Sequence, residues 1–393
     1  MNRLIFEGRF LVNMVGGIIR QEDLRVRHSR IDWERMYRIA DYHKIANMVY
    51  LGLLGNGEAV PGRWQEHFFK RYQESLFYGE VSVEAEREVL MLFDMMKIPC
   101  TVLTSSRIRE LYQIPEMSAN NPLRLMLDEE SFVLAKGYLV DLGYETERTY
   151  KGCGERMKHG NGFCVELYYR LPFRTRPYEK NMQRILESAF LRGSSNYVRT
   201  LSLDNRYIFM AAWAVYHYAE DELLIREVLD LYLYHRMWRE EMNREYIQKT
   251  LDSFQIDAIA EKILQISYMW FGVKEEILPE GQTEDMKAYD VLENRILSQG
   301  SISTETDQQA LHLASCIKRE IEKEKRRDKL ELWKERFGKV FSRFMRRLRW
   351  LFPEYKYMCA IYPFLETLPV LLPFYWIRRG VRLLISIFSE SRK

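Results

Sequence analysis

NNPLRLMLDEESFVLAKGYLVDLGYE, residues 120–145, decides the fold. Leu123 to Asp128 alternates apolar and charged residues and then runs apolar, the pattern of a buried strand. Glu129 and Glu130 suit the first turn of a helix, where the macrodipole favours carboxylates. That helix reads through to Leu142, and Gly143 is a C′ glycine that ends it. Upstream, Ile98 to Leu103 is a short β-branched apolar run, a second strand, followed by a helix-like RIRELY from Arg107 to Tyr112. Downstream, Tyr144–Tyr150 and Gly162–Tyr169 read as two more strands. The stretch from about 96 to 175 is therefore a small α/β unit.

Both flanks read as helical. Asp32 caps a helix through Trp33, Met36 and Ile39, and Asp41 is placed to cap the next. A long helical segment runs from Trp64 to Lys97. Asp204 is placed to cap a helix through Tyr216, and Ile225–Trp238 carries one strongly apolar face. Phe337, Val340, Phe341, Phe344, Leu348 and Leu351 follow helical spacing and leave an Arg/Lys face. The expected division is a helical region over 1–95, the α/β domain over 96–175, a helical domain over 176–316, and a basic amphipathic helix with a Pro/aromatic-rich segment over 317–393.

The 393 residues are 47% hydrophobic and 29% charged, which suits a globular chain with a sizeable core. Five cysteines without a CxxC pair exclude a zinc ribbon and a disulfide framework and fit a reducing cytoplasm. The first residues lack a basic n-region and a cleavage site, so they read as an amphipathic helix. The longest uncharged run of the last segment, Thr367 to Ile377, is far short of the about 20 residues of a spanning helix. Net charge is +3, yet Lys318 to Arg349 holds 14 Lys/Arg against 6 Asp/Glu. Nucleic acid is not an expected partner on that balance. Arg343, Arg346, Arg347 and Arg349, beside Trp350 and Phe352, are candidates for an anionic membrane surface. None of the seven histidines forms HxH or HExxH, and GxSxG, P-loop and GxGxxG motifs are absent, so no metal site is assigned.

IPCTVLTSS (98–106), RELYQIPEMS (109–118), NNPLRLMLDEESF (120–132), LVDLGYE (139–145) and CVELYYRL (164–171) occur in an order and spacing that resemble the uncharacterised nucleotidyltransferase family of bacteria. That family is a branch of the DNA-polymerase-β-like superfamily. IDWERMYRIADYHKIANMVYLGL (31–53), IREVLDLYLYHR (225–236) and FPEYKYMCAIYPFLETLPVLLPFYWIRR (352–379) resemble its helical flanks. The resemblance implies an α+β fold, a small polymerase-β-like α/β domain embedded in helical N- and C-terminal regions. It also implies nucleotidyl transfer from an NTP to a hydroxyl, through three carboxylates around Mg²⁺.

Here the positions of the Asp-x-Asp pair hold Pro122 and Arg124, and Glu166 is the one carboxylate of the set retained. A cation beside a divalent site costs several kcal/mol even at an effective dielectric of about 20. Arg124 is expected to pair with Glu166 across neighbouring strands. Thr104, Ser105 and Ser106 stand where a strand meets a helix and are candidates for phosphate, with a plain serine cap as the alternative. The expectation is a catalytically degenerate member that binds a protein partner or a small molecule and needs no cofactor. Two alternatives stay open: active Mg-dependent transfer through a displaced carboxylate set that uses Asp128, and a peripheral membrane scaffold built on the C-terminal basic helix.

Overall fold

A computed structural model describes residues 3–22, 31–54, 60–118, 121–173, 176–273, 286–300, 355 and 369–377. Residues 1–310 and 311–393 form two separate units. In the second, the described part is residue 355 and a 3₁₀ turn, Pro369–Leu371, leading into helix to residue 377. The membrane-surface arginines at 343, 346, 347 and 349 lie outside the described residues. No helix among the described residues is long and apolar enough to cross a membrane.

The first unit opens with helices α1 (Arg3–Ile19), α2 (Trp33–Tyr42), α3 (Ala46–Leu53) and α4 (Gly62–Met95). Then come β1 (Cys100–Thr104), β2 (Leu123–Met126), α5 (Glu129–Asp141), β3 (Tyr144–Tyr150), β4 (Gly154–His159) and β5 (Cys164–Tyr168). Next are α6 (Arg176–Glu187), the short strands β6 (Phe190–Leu191) and β7 (Val198–Thr200), and helices α7 (Leu203–Ala219), α8 (Ile225–Trp238), α9 (Arg244–Phe254), α10 (Asp257–Phe271) and α11 (Met286–Leu297). The fold is α+β, as expected.

The strands make one mixed sheet in the order β3-β4-β5-β2-β1-β7-β6. β2 runs parallel to β5 and antiparallel to β1, and β1 runs parallel to β7. Strand period two then divides the side chains. Leu123, Leu125, Val165 and Leu167 join Val89 and Phe93 of α4 and Leu139 of α5 in one core. Tyr168, and Met126 at its edge, face the other way, into the larger core of helices α7, α8 and α10. Arg124 and Glu166 are register partners on that second side.

Several local expectations need correction. Asp41 does not cap α3: the N-cap is Ile45, without a side-chain bond, because Lys44 turns the chain at φ 57°. Asp41 pairs instead with Arg71 at 2.7 Å. Asp204 lies in the first turn of α7 while Ser202 caps it, and Asp204 accepts from the Asn243 amide. RIRELY forms a 3₁₀ helix over Ser106–Leu111. The strand β4 was not expected, since GERMKH is mostly charged; its inward residue is Met157, fully buried. β6 and β7 carry the sheet past residue 175.

Two glycines are required by geometry. Gly143 ends α5 at φ +88°, the left-handed conformation anticipated for it. At Gly154 a Cβ would sit 2.0 Å from the Leu167 carbonyl oxygen, so only glycine lets β4 approach β5.

His43, fully buried behind α2, accepts the Ile225 amide at the start of α8 through Nδ1. Burial lowers its pKa to about 3. The unfolded chain therefore takes up a proton near the ordinary value of 6.5 that the folded chain refuses. Stability from this residue is constant above pH 6.5 and falls as pH drops toward 3, by about 1.4 kcal/mol per pH unit well below 6.5. Unfolding midpoints between pH 4.5 and 6.5 should show this slope, and His43→Gln should flatten it. An unchanged slope would mean that His43 titrates normally when folded.

Candidate functional site

One cavity of about 730 Å³ opens where the C-terminal end of β1 meets the N-terminal ends of β2 and β5. Its size is that of a small-molecule site. The sheet wall carries Thr104, Ser105, Pro122 and Arg124, with Arg156 and Lys158 from β4. The opposite wall is helical. Lys44 and Asn47 come from the α2–α3 junction, Arg71 and Glu74 from α4, Trp213 from α7, and Arg226, Glu227 and Asp230 from α8.

At the sheet wall Arg124 donates from Nε to Glu166 Oε2 at 2.6 Å. Glu166 is 2% exposed. Its other oxygen accepts from Tyr150 at 3.2 Å and faces Arg156 Nη1 at 3.5 Å, and Tyr168 donates to Oε2 at 3.2 Å. Burial pushes this carboxyl up, but Arg124, Arg156 and the hydrogen bonds outweigh it and hold it below the usual range. Burial works against the charge on Arg124, and Glu166 overcomes that and keeps it protonated. The guanidinium lies over the Trp213 ring, 5.0 Å from its centroid. Tyr150 and Tyr168 stack at 5.5 Å, and Tyr168 meets Trp213 edge-on. The ion pair is thus walled by rings.

The acids on the walls are matched. Asp41 and Glu74 both meet Arg71, and Glu147 meets Arg156 at 2.8 Å. Glu227 accepts from His217 at 2.8 Å, which with Arg124 outweighs burial and lowers its pKa. Asp230 pairs with Arg226 at 3.2 Å and accepts a short bond from Tyr112. Burial leaves Asp230 above the usual carboxylate range. What remains without an internal partner is cationic: Lys44 takes part in no ion pair among the described residues, and the Nη groups of Arg124 make no hydrogen bond there.

These residues do not suit the Mg²⁺ that the fold implies. A carboxylate offers about four acceptor positions, and those of Glu166 face four donors. The Pro122 side chain has no ligand atom, and the Arg124 guanidinium occupies the approach. Among the described residues, no three of His, Cys, Asp and Glu are grouped to hold a metal. Asp128 caps α5, accepting from the Ser131 amide at 2.7 Å and its hydroxyl at 3.0 Å.

Of the residues singled out from sequence, Pro122, Arg124, Thr104 and Ser105 line the cavity and Glu166 stands directly behind Arg124. Ser105 also caps the 3₁₀ helix through the Arg107 amide. Ser106 does not join them: its amide and hydroxyl bond the buried Glu86 at 2.7 and 2.8 Å. Sequence reasoning missed the helical wall, although Arg226 and Asp230 stand four apart inside an otherwise apolar helix face, a signal of a buried charged pair. Arg156 and Lys158 were hidden in the strand that was not expected.

A sequence model of the uncharacterised nucleotidyltransferase family matches residues 29–272. The match spans the whole cavity and does not reach the 352–379 segment. Neither curated proteins nor solved structures yield a match. With the family's motifs gathered at one end of a mixed sheet and more than half of the chain matched, the chain belongs to the uncharacterised nucleotidyltransferase family.

Proposed function

We propose that this member binds a nucleoside phosphate without transferring the nucleotidyl group, and acts as a binding or regulatory partner. One observation carries this reading: Glu166 accepts hydrogen bonds from Arg124, Tyr150 and Tyr168 and lies 3.5 Å from the Arg156 guanidinium, at the place where the family's chemistry needs open carboxylates. The cavity supports the binding half of the reading. Its acids are internally matched while Lys44 and Arg124 keep donors to spare, which favours an anionic ligand.

Thermal unfolding with each of the four NTPs, with and without Mg²⁺, tests it together with an assay for pyrophosphate release. A nucleotide at 100 times its Kd stabilises by about 2.7 kcal/mol. That raises Tm by several degrees in a unit of this size. The expected result is such a shift with no pyrophosphate released. Mg²⁺-dependent pyrophosphate release abolished by Glu166→Gln would make the protein an active transferase. A Tm unmoved by every NTP would remove nucleotides as its ligands.

A further inference from the structure

We infer that Arg124 stands in for the metal as the phosphate receptor of this cleft, so that the cleft takes the metal-free form of its ligand and Mg²⁺ opposes binding. The inference rests on the reading that the ligand is a nucleoside phosphate. Arg124 is held on two sides. Nε is committed to Glu166 at 2.6 Å, and the guanidinium carbon lies over the Trp213 ring, 5.0 Å from its centroid. Those contacts leave the two Nη groups, which make no hydrogen bond among the described residues and belong to a side chain 18% exposed on the cavity wall. A planar fork fixed at Nε and open at both Nη groups matches two oxygens of one phosphate.

Charge bears on the form of the ligand as well. Arg124, Arg156 and Lys158 bring three positive charges to this wall, against Glu147 and Glu166 on the sheet and Glu227 of α8. Mg²⁺ on a polyphosphate would cover the oxygens that the fork needs and cancel the charge that draws the ligand. A dication brought beside Arg124 would also be repelled. In an ordinary metal-dependent site the cation strengthens nucleotide binding; here the sign reverses.

Calorimetric titration of the full chain with ATP, once in EDTA and once in saturating Mg²⁺, tests this. AMP, which chelates Mg²⁺ weakly, serves as the control. The expected result is ATP binding in EDTA, weakened at least about tenfold by Mg²⁺, with AMP binding indifferent to the metal. Arg124→Lys keeps the charge but loses the fork, and should weaken ATP binding in EDTA roughly 10- to 100-fold. Equal or tighter ATP binding in Mg²⁺, or an Arg124→Lys variant that binds as the wild type does, would overturn the inference and leave a nucleotide-binding cleft standing. No binding of ATP or AMP in either buffer would overturn the nucleotide reading itself, and the inference with it. If Arg124→Lys does not fold, the wild-type comparison decides alone.

Discussion

Replacing Asp230 by alanine should lower the unfolding free energy by about 3–5 kcal/mol, the range for removing one partner of an enclosed ion pair. Arg226 is 2% exposed. Besides Asp230, it meets the Ser118 hydroxyl at 3.0 Å and the face of Tyr112. Neither neutralises a guanidinium. Tyr112 would lose its acceptor in the same step. The double replacement Arg226→Met with Asp230→Leu should recover much of the loss, because it exchanges two buried charges for apolar volume. Chemical denaturation of the three variants checks this. A loss under 1 kcal/mol in Asp230→Ala would mean that water reaches Arg226.

The second large effect lies at the other wall. Arg124→Met removes the 2.6 Å partner of Glu166 and leaves Arg156 at 3.5 Å with the hydroxyls of Tyr150 and Tyr168. With those partners retained, a loss of about 2–4 kcal/mol at neutral pH is expected, the lower part of the range for broken buried pairs. The pH dependence gives a second signature. Glu166 is held below the ordinary carboxylate value of 4.5 when folded. Its contribution in the wild type is therefore fully present above about that pH and lost as pH falls through the lower folded value. Without Arg124 burial dominates, the folded pKa rises, and the acid-side loss begins at higher pH. Stability curves of wild type and variant that stay parallel from pH 3 to pH 7 would contradict this.

Much of the framework could be read from the chain. The alternation in LRLMLD put Arg124 on one face of a strand, and the same period in CVELYYRL put Glu166 on the matching face. The pair then needed only parallel register, which the structure supplies. The long helix before residue 97 and the helix 225–238 followed from apolar spacing, because burial of one stripe dominates in both. What failed was governed by tertiary contact. GERMKH forms a strand because Gly154 lets it close on β5, and nothing in its charged composition announces that. Asp41 and Asp204 have the right chemistry for caps, yet stronger partners in Arg71 and the Asn243 amide claim them. The cavity joins segments from residue 41 to residue 230, and no local pattern ties α3, α4, α7 and α8 to the ends of β1, β2 and β5.

The pairing of β1 with β7 has a consequence for how the chain is made. Cys100 lies beside Val198, so one edge of β1 waits for almost a hundred later residues before it is covered. Parallel contacts of that separation form late, since the intervening loop must be closed before they give anything back. As the polypeptide leaves the ribosome, CTVLT is a five-residue, uncharged β segment with an open edge, the kind that invites pairing with another chain. Nascent chains halted before residue 198 should therefore depend on chaperones to stay dispersed, while chains released after Thr200 can cap the edge themselves.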